Sequence, residues 1–216
     1  MPTLKIMTIN RIDFHKLSAS HVIIIPIRSF FDSKSRLAMT LTDSERVSLM
    51  IKCSQSVITA AGSLPKVVVT SDPAVKDFAI RLSCHVIPDN GSGLSSSVQS
   101  AFHLLREWDV KHVTVAHADL PFAKDIGGLM VDGAITLVPD RKRDGTNIIS
   151  LPANCGFQFS YGPGSFERHR QEASRLGLTI NIDDCPELTL DVDTPEDLEA
   201  VLNQNDPRFK GIKTGT

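Results

Sequence analysis

Three aspartates stand where carboxylates can do chemistry. Asp119 lies in VTVAHADLP, directly after a short apolar run, and Asp191 and Asp193 sit two apart in LDVDTPEDL, at the end of another extended segment. Carboxylates from two strand ends can converge on one hard divalent cation, which takes oxygen ligands and keeps several waters for a phosphate. Residues two apart in an extended segment point to the same side, so Asp191 and Asp193 would share a face. The acids that follow have a simpler reading. Thr194 is placed as an N-cap with Pro195 at the first helical position, so Glu196 and Asp197 serve a helix start and its dipole. Asp119 taken alone fits the start of an acidic loop as well as a metal ligand.

Around these acids are loops rich in cations, glycine and hydroxyls. Arg28, Lys34 and Arg36 precede a capped helix, a place where cations can meet a phosphate chain, and the same residues also suit a solvated loop. The pattern G-x-x-x-x-G-K is absent, so this is no P-loop. DNGSGLSSS brings two glycines and several hydroxyls ahead of a helix; it can let a backbone approach a base or phosphate, or be a turn built for conformational reasons. RKRDGTN, from Arg141 to Asn147, sets three cations beside a turn, then a hydroxyl and an amide. In YGPGSF, Ser165 reads as an N-cap and the glycines free backbone N–H groups, which makes an anion site or simply a turn and a capped helix. His117 and His169 have no paired motif and read as packing or surface residues rather than as base or ligand.

The elements that must hold these loops can be read from periodicity. HVIIIPIRS is a buried strand; TDSE has the capping-box pattern, and Val47, Met50, Ile51, Ser54, Val57, Ile58 and Ala61 repeat at helical spacing after it. KVVVT, CHVIP, HVTVA and AITLVP are further strands, with helices over DPAVKDFAIRL and from Leu94 to Trp108 between them. Continuous apolar runs rather than alternating ones fit a parallel sheet covered on both faces. After AITLVP the pattern changes: NIISL and FQF look like strands, FERHRQEASRL a helix, LTINI a strand and TPEDLEAVL a last helix. The reading is one α/β domain over residues 21–203, with a mostly parallel central sheet and helices on both faces. Residues 1–20 are a loose N-terminal extension and 204–216 an aperiodic, frayed tail. In such sheets ligands sit beyond the carboxyl ends of the strands, where all the loops above fall.

Composition narrows the function classes. The chain has 216 residues, 41% of them hydrophobic, enough for a real core, and a formal net charge of -2 gives no general attraction to nucleic acid or an anionic membrane. Four scattered cysteines show no C-x-x-C or Cys/His ligand spacing, which argues against a zinc or redox motif and for a reduced, cytoplasmic setting. The longest apolar run, Val22 to Ile25, is far too short to span a bilayer, and residues 1–20 lack a signal peptide's apolar core.

Taken in order, IPIRSFFDSKSRLA, VIPDNGSGL, HADLP, PDRKRDGTN, FSYGPGSFERH and LDVDTPEDL resemble the CofC family of guanylyltransferases, over residues 21–202. GTN followed by FGPGSF-x-x-H is the specific part, since generic nucleotidyltransferases share only ADLP. The resemblance implies a single-domain, Rossmann-like nucleotidyltransferase fold of the GT-A type. It also implies transfer of GMP from GTP to a small phosphorylated acid, 2-phospho-L-lactate, phosphoenolpyruvate or 3-phospho-D-glycerate, in the making of the deazaflavin coenzyme F-420. Magnesium is the implied cofactor, held by Asp119 with Asp191 or Asp193. Arg28, Lys34, Pro88, Gly93 and Ser95 would face the nucleotide; Thr146, Gly162 and Ser165 would hold the acid; Lys34, Arg36 and Asp119 would serve catalysis. A homodimer and a product passed to the next enzyme of that pathway are further implications.

Two positions depart from the family pattern. Ser95 replaces the asparagine of the usual GLN, which leaves nucleotide choice open, and Tyr161 replaces the phenylalanine of FGPGSF, which keeps an aromatic ring. A phosphate monoester has its second pKa near ~6 and arrives largely as a dianion, so attack on the α-phosphorus needs no general base. That fits a site of cations, backbone donors and carboxylates without a Ser-His or Cys-His pair. The competing readings are a molybdopterin or sugar-phosphate nucleotidyltransferase, disfavoured because IPIRSFFDSKSRL lacks the glycine-rich L-x-A-G-G-x-S-x-R-M loop, and a non-catalytic nucleotide-binding regulatory domain.

Overall fold

Short runs of valine and isoleucine bounded by glycine, proline and serine form seven strands, and the intervening amphipathic segments form the helices. The computed structural model describes residues 20–31, 34–89 and 91–212; the expected N-terminal extension 1–20 lies almost wholly outside them. The strands are β1 His21–Pro26, β2 Lys66–Thr70, β3 His85–Pro88, β4 His112–Ala116, β5 Ala134–Pro139, β6 Thr146–Pro152 and β7 Thr179–Ile182. The helices are α1 Asp43–Ala60, α2 Pro73–Arg81, α3 Leu94–Glu107, α4 Ser165–Arg175, α5 Pro186–Thr189 and α6 Pro195–Leu202. The sheet order is β3-β2-β1-β4-β6-β5-β7. Neighbours are parallel from β3 to β4, β6 runs antiparallel to both β4 and β5, and β5 pairs parallel with β7. The mostly parallel sheet is therefore as expected, with one reversed strand.

Why the central strands read as unbroken apolar runs is visible in the packing. Val22, Ile24, Val67 and Val69 face α3 and α4 through Val98, Phe102, Leu105 and Phe166. Their sequence neighbours Ile23, Ile25 and Val68 face α1 and α2 through Met50, Val57, Val75 and Phe78. Both strand faces are covered, so both must be apolar. The helix starts follow the sequence: Thr42 forms a capping box with Glu45, Asp72 caps α2, and Thr194 forms a box with Asp197. No helix among the described residues is long and apolar enough to cross a membrane.

Three local expectations need correction. FQF is not a strand, because its backbone finds side-chain partners instead of a neighbouring ladder. Phe159 N–H donates to Gln99 Oε1 at 3.0 Å and Gln158 N–H to Glu172 Oε1 at 3.1 Å, while Phe157 and Phe159 pack edge-to-face at 5.2 Å. Ser165 is the first residue of α4 rather than its N-cap; Gly164 takes the cap at φ 72° with no side-chain bond. The tail is ordered from Pro207 to Ile212: Phe209 and Ile212 bury against Leu49, Cys53 and Leu198. Burying each of these side chains contributes roughly 1.5–3 kcal/mol toward the entropy cost of ordering this short aperiodic segment.

Candidate functional site

The sheet's carboxyl edge positions the acids. Asp119 follows β4 by three residues, and Leu190 to Asp193 runs beside it, tied by Val192 N–H donating to the Asp119 carbonyl at 3.2 Å. Val192 is fully buried in the same cluster as Leu49, Leu198 and Phe209, so Asp191 and Asp193 turn the other way, as the two-residue spacing predicts. Asn147 side-chain N–H groups hold the carbonyls of Leu188 and Thr189, at 3.0 and 3.1 Å, fixing the approach to this segment. Each of the three aspartates offers an oxygen within 4.8 Å of the others.

Lys34 joins two of them. Its Nζ donates to Asp119 Oδ2 and Asp193 Oδ1, each at 2.6 Å, with the side chain 6% exposed. The residue sits in the left-handed region at φ 60°, an uncommon conformation for a non-glycine residue and a frequent mark of functional loops. Burial alone would lower its pKa, but the two carboxylates reverse that and raise it above the usual lysine range. For Asp119 burial pulls upward, while Lys34 and His117 outweigh it and hold the carboxyl below its ordinary value. Asp191 has no such contact; burial and the charges of Asp119 and Asp193 push it up to about 7. Asp119 Oδ1 is buried with no hydrogen-bond partner among the described residues. An all-oxygen donor set with a buried, unsatisfied carboxylate oxygen fits a hard divalent cation such as magnesium.

Opposite the acids stands a wall of donors. Thr146 opens β6, and its Oγ1 lies 3.0 Å from His169 Nδ1 and 3.4 Å from Ser165 Oγ. His169 Nε2 accepts the Ser160 N–H at 2.9 Å, so the ring proton is on Nδ1 and is donated to Thr146. Burial, reinforced by Arg168, pushes His169 down to about 3 and keeps the ring neutral. Gly162, at φ 108°, and Gly164 make a turn that side chains would strain; it is clipped to the preceding loop by Gly164 N–H donating to Asp144 Oδ1 at 3.0 Å. Arg168 donates to the carbonyls of Ser160 and Pro163, at 3.0 and 2.6 Å, from outside the turn.

These two walls enclose a cavity of about 720 Å³ that also takes in Arg36 and Arg141. A second cavity, of about 270 Å³, is lined by Ile27, Arg28, Val69, Asp89, Leu94 and Ser97, among others, and shares Leu94, His117 and Asp119 with the first. The glycine-rich loop, with Gly91 and Gly93, forms one edge of it. Asp119 thus stands where the two meet.

The expected site residues fall out as follows. Asp119, Asp191, Asp193, Thr146, Gly162, Ser165 and Arg36 line the larger cavity, Arg28, Gly93 and Asp119 the smaller one, and Lys34 is bonded into the acid cluster. Pro88 and Ser95 line neither cavity. Pro88 pairs with Thr70 in the sheet, and Ser95 Oγ accepts the Tyr161 N–H at 2.8 Å, tying the first turn of α3 to the residue that precedes the GPGS turn.

A family model described as "Guanylyl transferase CofC like" matches residues 21–210. The chain belongs to this family. Membership makes it a nucleotidyltransferase. It is 31% identical over 184 residues to the phosphoenolpyruvate guanylyltransferase of Rubrobacter xylanophilus, covering 81% of this chain and 90% of the relative. It is 30% identical to the 2-phospho-L-lactate guanylyltransferase of Methanocaldococcus jannaschii, covering 87% and 85%. Solved structures carry the same fold at low identity. A nucleotidyl transferase from Methanothermobacter thermautotroptrophicus superposes with a TM-score of 0.62 at 12% identity, covering 85% of this chain and 96% of that one. The CMP:2-keto-3-deoxy-manno-octonic acid synthetase complexed with CTP superposes with a TM-score of 0.55 at 13% identity, covering 87% and 100%.

Within this CofC-like frame three residues escaped the sequence reading of individual side chains. His169 orients Thr146, and its only signal was its place at the end of the GPGSF-x-x-H motif. Asn147 fastens the acid-bearing segment, and in sequence it was only the last letter of GTN. His117, expected as a packing or surface residue, packs with its ring 5.0 Å from Tyr161 and also forms wall in both cavities, its buried Nε2 without a hydrogen-bond partner among the described residues.

Proposed function

We propose that this protein transfers GMP from GTP to the phosphate of a small phosphorylated acid, phosphoenolpyruvate, 2-phospho-L-lactate or 3-phospho-D-glycerate, releasing pyrophosphate, as a step toward coenzyme F-420. The observation that carries the reading is the single cavity in which three carboxylates face Thr146, Gly162 and Ser165 across a space lined by arginines. Two anionic substrates can be brought together there. The relatives described above are named for the first two acids, and the third is an implication of the sequence resemblance.

In the proposed reaction an oxygen of the acid's phosphate forms a bond to the α-phosphorus of GTP while the bond to the β-phosphate oxygen breaks, and pyrophosphate carries away the electron pair. The nucleophile is already ionised near neutral pH, so no residue has to remove a proton. Repulsion between anions is the obstacle, and the chain answers it by position and charge. Thr146 and Ser165 hydroxyls and the GPGS backbone hold the acid's phosphate. Asp119, with Asp191 and Asp193, would hold magnesium, which supplies Lewis-acid charge to the reacting phosphates. Arg36 and Lys34 neutralise the leaving pyrophosphate, with Lys34 exchanging its carboxylate contacts for phosphate ones. His169 remains neutral and serves only to aim Thr146.

The test is pyrophosphate release measured over GTP, ATP, CTP and UTP against the three acids, with and without magnesium. Turnover with GTP and at least one acid, dependent on magnesium, supports the reading. Failure of every pair despite nucleotide binding favours a regulatory nucleotide-binding domain instead.

A further inference from the structure

The smaller cavity holds a carboxylate that the reaction above does not use. Asp89 follows β3, and its backbone N–H is fastened to the Thr70 carbonyl at 3.1 Å. Its Oδ1 accepts the Gly91 N–H at 3.1 Å and the Ser97 hydroxyl, whose single proton is shared with the Gly93 carbonyl 2.8 Å away. Oδ2 takes no hydrogen bond from any of the described residues. The side chain is therefore oriented by two fixed donors through one oxygen, with the other left over, on the wall of a cavity whose apolar lining is Pro26, Ile27, Val69 and Leu94 and whose charged lining includes Arg28 and Asp119.

The occupant of this cavity follows from its junction with the larger one. On the proposed function, the α-phosphorus lies near Asp119, and the phosphorylated acid extends toward Thr146 in the larger cavity. The nucleoside must then extend the other way, into the space lined by Asp89. Apolar side chains there suit the flat face of a base, and a carboxylate oxygen in the same lining suits an edge that presents N–H donors.

We propose that Asp89 selects guanine by accepting hydrogen bonds from its N1–H and exocyclic N2–H2 groups through Oδ2. Adenine presents an acceptor at N1 and no amino group at C2, so the same oxygen meets a lone pair and is left unpaired. A site built to accept from a donor rejects a ligand lacking it, because its own polar group is then stranded. This assigns base choice to a residue outside the Gly93, Leu94, Ser95 segment, whose serine is already engaged with Tyr161.

The geometry supplies an unusually clean probe. In Asp89→Asn the amide oxygen must take the Oδ1 place, because the Gly91 N–H can only donate, so the loop bonds survive and an NH2 group replaces Oδ2. Dissociation constants for GTP, ITP and ATP, measured by titration calorimetry with magnesium and without the acid, test the proposal independently of turnover. ITP lacks only the N2 amino group. The wild-type protein should bind GTP roughly tenfold or more tightly than ITP, and ATP more weakly still. In Asp89→Asn the GTP preference over ITP should fall to within about threefold, through loss of GTP affinity, with the melting temperature little changed. Asp89→Glu, which keeps the charge but moves the oxygens, should narrow the preference too, and answers the same question where the Asn variant is not folded. Equal wild-type affinities for GTP and ITP, or an undiminished preference in the folded variant, would overturn the assignment. Absence of guanylyl transfer by a wild-type protein whose preference for GTP over ITP is lost in Asp89→Asn would count against the proposed reaction while supporting Asp89 as the reader.

Discussion

Asn147 Nδ2 lies 3.0 Å from the Leu188 carbonyl oxygen, and this bond joins the start of β6, next to Thr146, to the segment that carries Asp191 and Asp193. A second bond to the Thr189 carbonyl makes the junction bidentate. Both carbonyls lose their donor in Asn147→Ala. The variant should lose about 1–3 kcal/mol of stability, the cost of stranding buried acceptors, and should also bind Mn2+ more weakly as the acid segment loosens. Urea unfolding and Mn2+ titration followed by electron paramagnetic resonance check the two effects, and stability loss with unaltered Mn2+ affinity would show that Asn147 does not position the acids.

Asp119 is the point at which both cavities, Lys34 and the other two acids meet. Asp119→Asn keeps the shape and removes the charge. Turnover should fall by roughly 100-fold or more, on the scale of losing one preorganised electrostatic contact, and Mn2+ affinity should fall with it. Kinetics at saturating GTP and acid, beside Mn2+ titration, measure this; near-wild-type turnover would remove Asp119 from the metal site.

Thr146 should act on one substrate only. Thr146→Val removes the hydroxyl while keeping the β-branched shape suited to β6. A hydrogen bond to a charged group contributes about 1.5–3 kcal/mol, so the KM for the acid should rise roughly 10- to 100-fold while that for GTP stays put. His169→Gln should show the same split more weakly, since it disturbs only the aim of the hydroxyl. Equal changes in both KM values would point to general loosening instead.

Much of this was legible from the sequence because the same residues satisfy local and global demands. Val22 to Ile25 is apolar at every position because the strand is buried on both faces, and Thr42 and Thr194 announce their helices through capping chemistry that needs no tertiary contact. Asp191 and Asp193 were readable as a pair because Val192 between them packs inward. What escaped depends on contacts between distant segments. FQF has strand-like residues, yet Gln99 and Glu172, from two helices, take its backbone N–H groups. The tail has no periodicity, and only the hydrophobic surface of α1 and α6 reveals why Phe209 is buried. His169, Asn147 and Asp89 matter through partners 23, 41 and 8 residues away, a relation that a lone histidine, amide or acid does not advertise.

Far from the site, four side chains form a buried chain that makes stability depend on pH. His21 Nε2 meets Thr114 Oγ1 at 2.8 Å, Thr114 donates to Ser150 at 2.7 Å, and His112 Nε2 meets Ser150 at 2.8 Å. Burial, with His21 close by, pushes His112 down to about 4, and burial lowers His21 as well. Between pH 6.5 and about 4 the unfolded chain binds protons that the folded one refuses, so this contribution is absent above 6.5, grows as the pH falls and levels off below about 4. For His112 alone the loss is on the order of 3 kcal/mol. His112→Gln should show a shallower decline than wild type over that window in urea unfolding; parallel declines would mean that His112 charges freely in the fold.

The central claim is the formation of a bond between the acid's phosphate and the α-phosphorus of GTP. Phosphorus-31 NMR of the wild-type protein with GTP, magnesium and each acid in turn follows both atoms at once. The account predicts, for at least one acid, loss of the monoester signal together with two new coupled diphosphate resonances and free pyrophosphate in equal amount. GTP that stays intact with every acid, or that yields only hydrolysis products while the monoester signal persists, would contradict it.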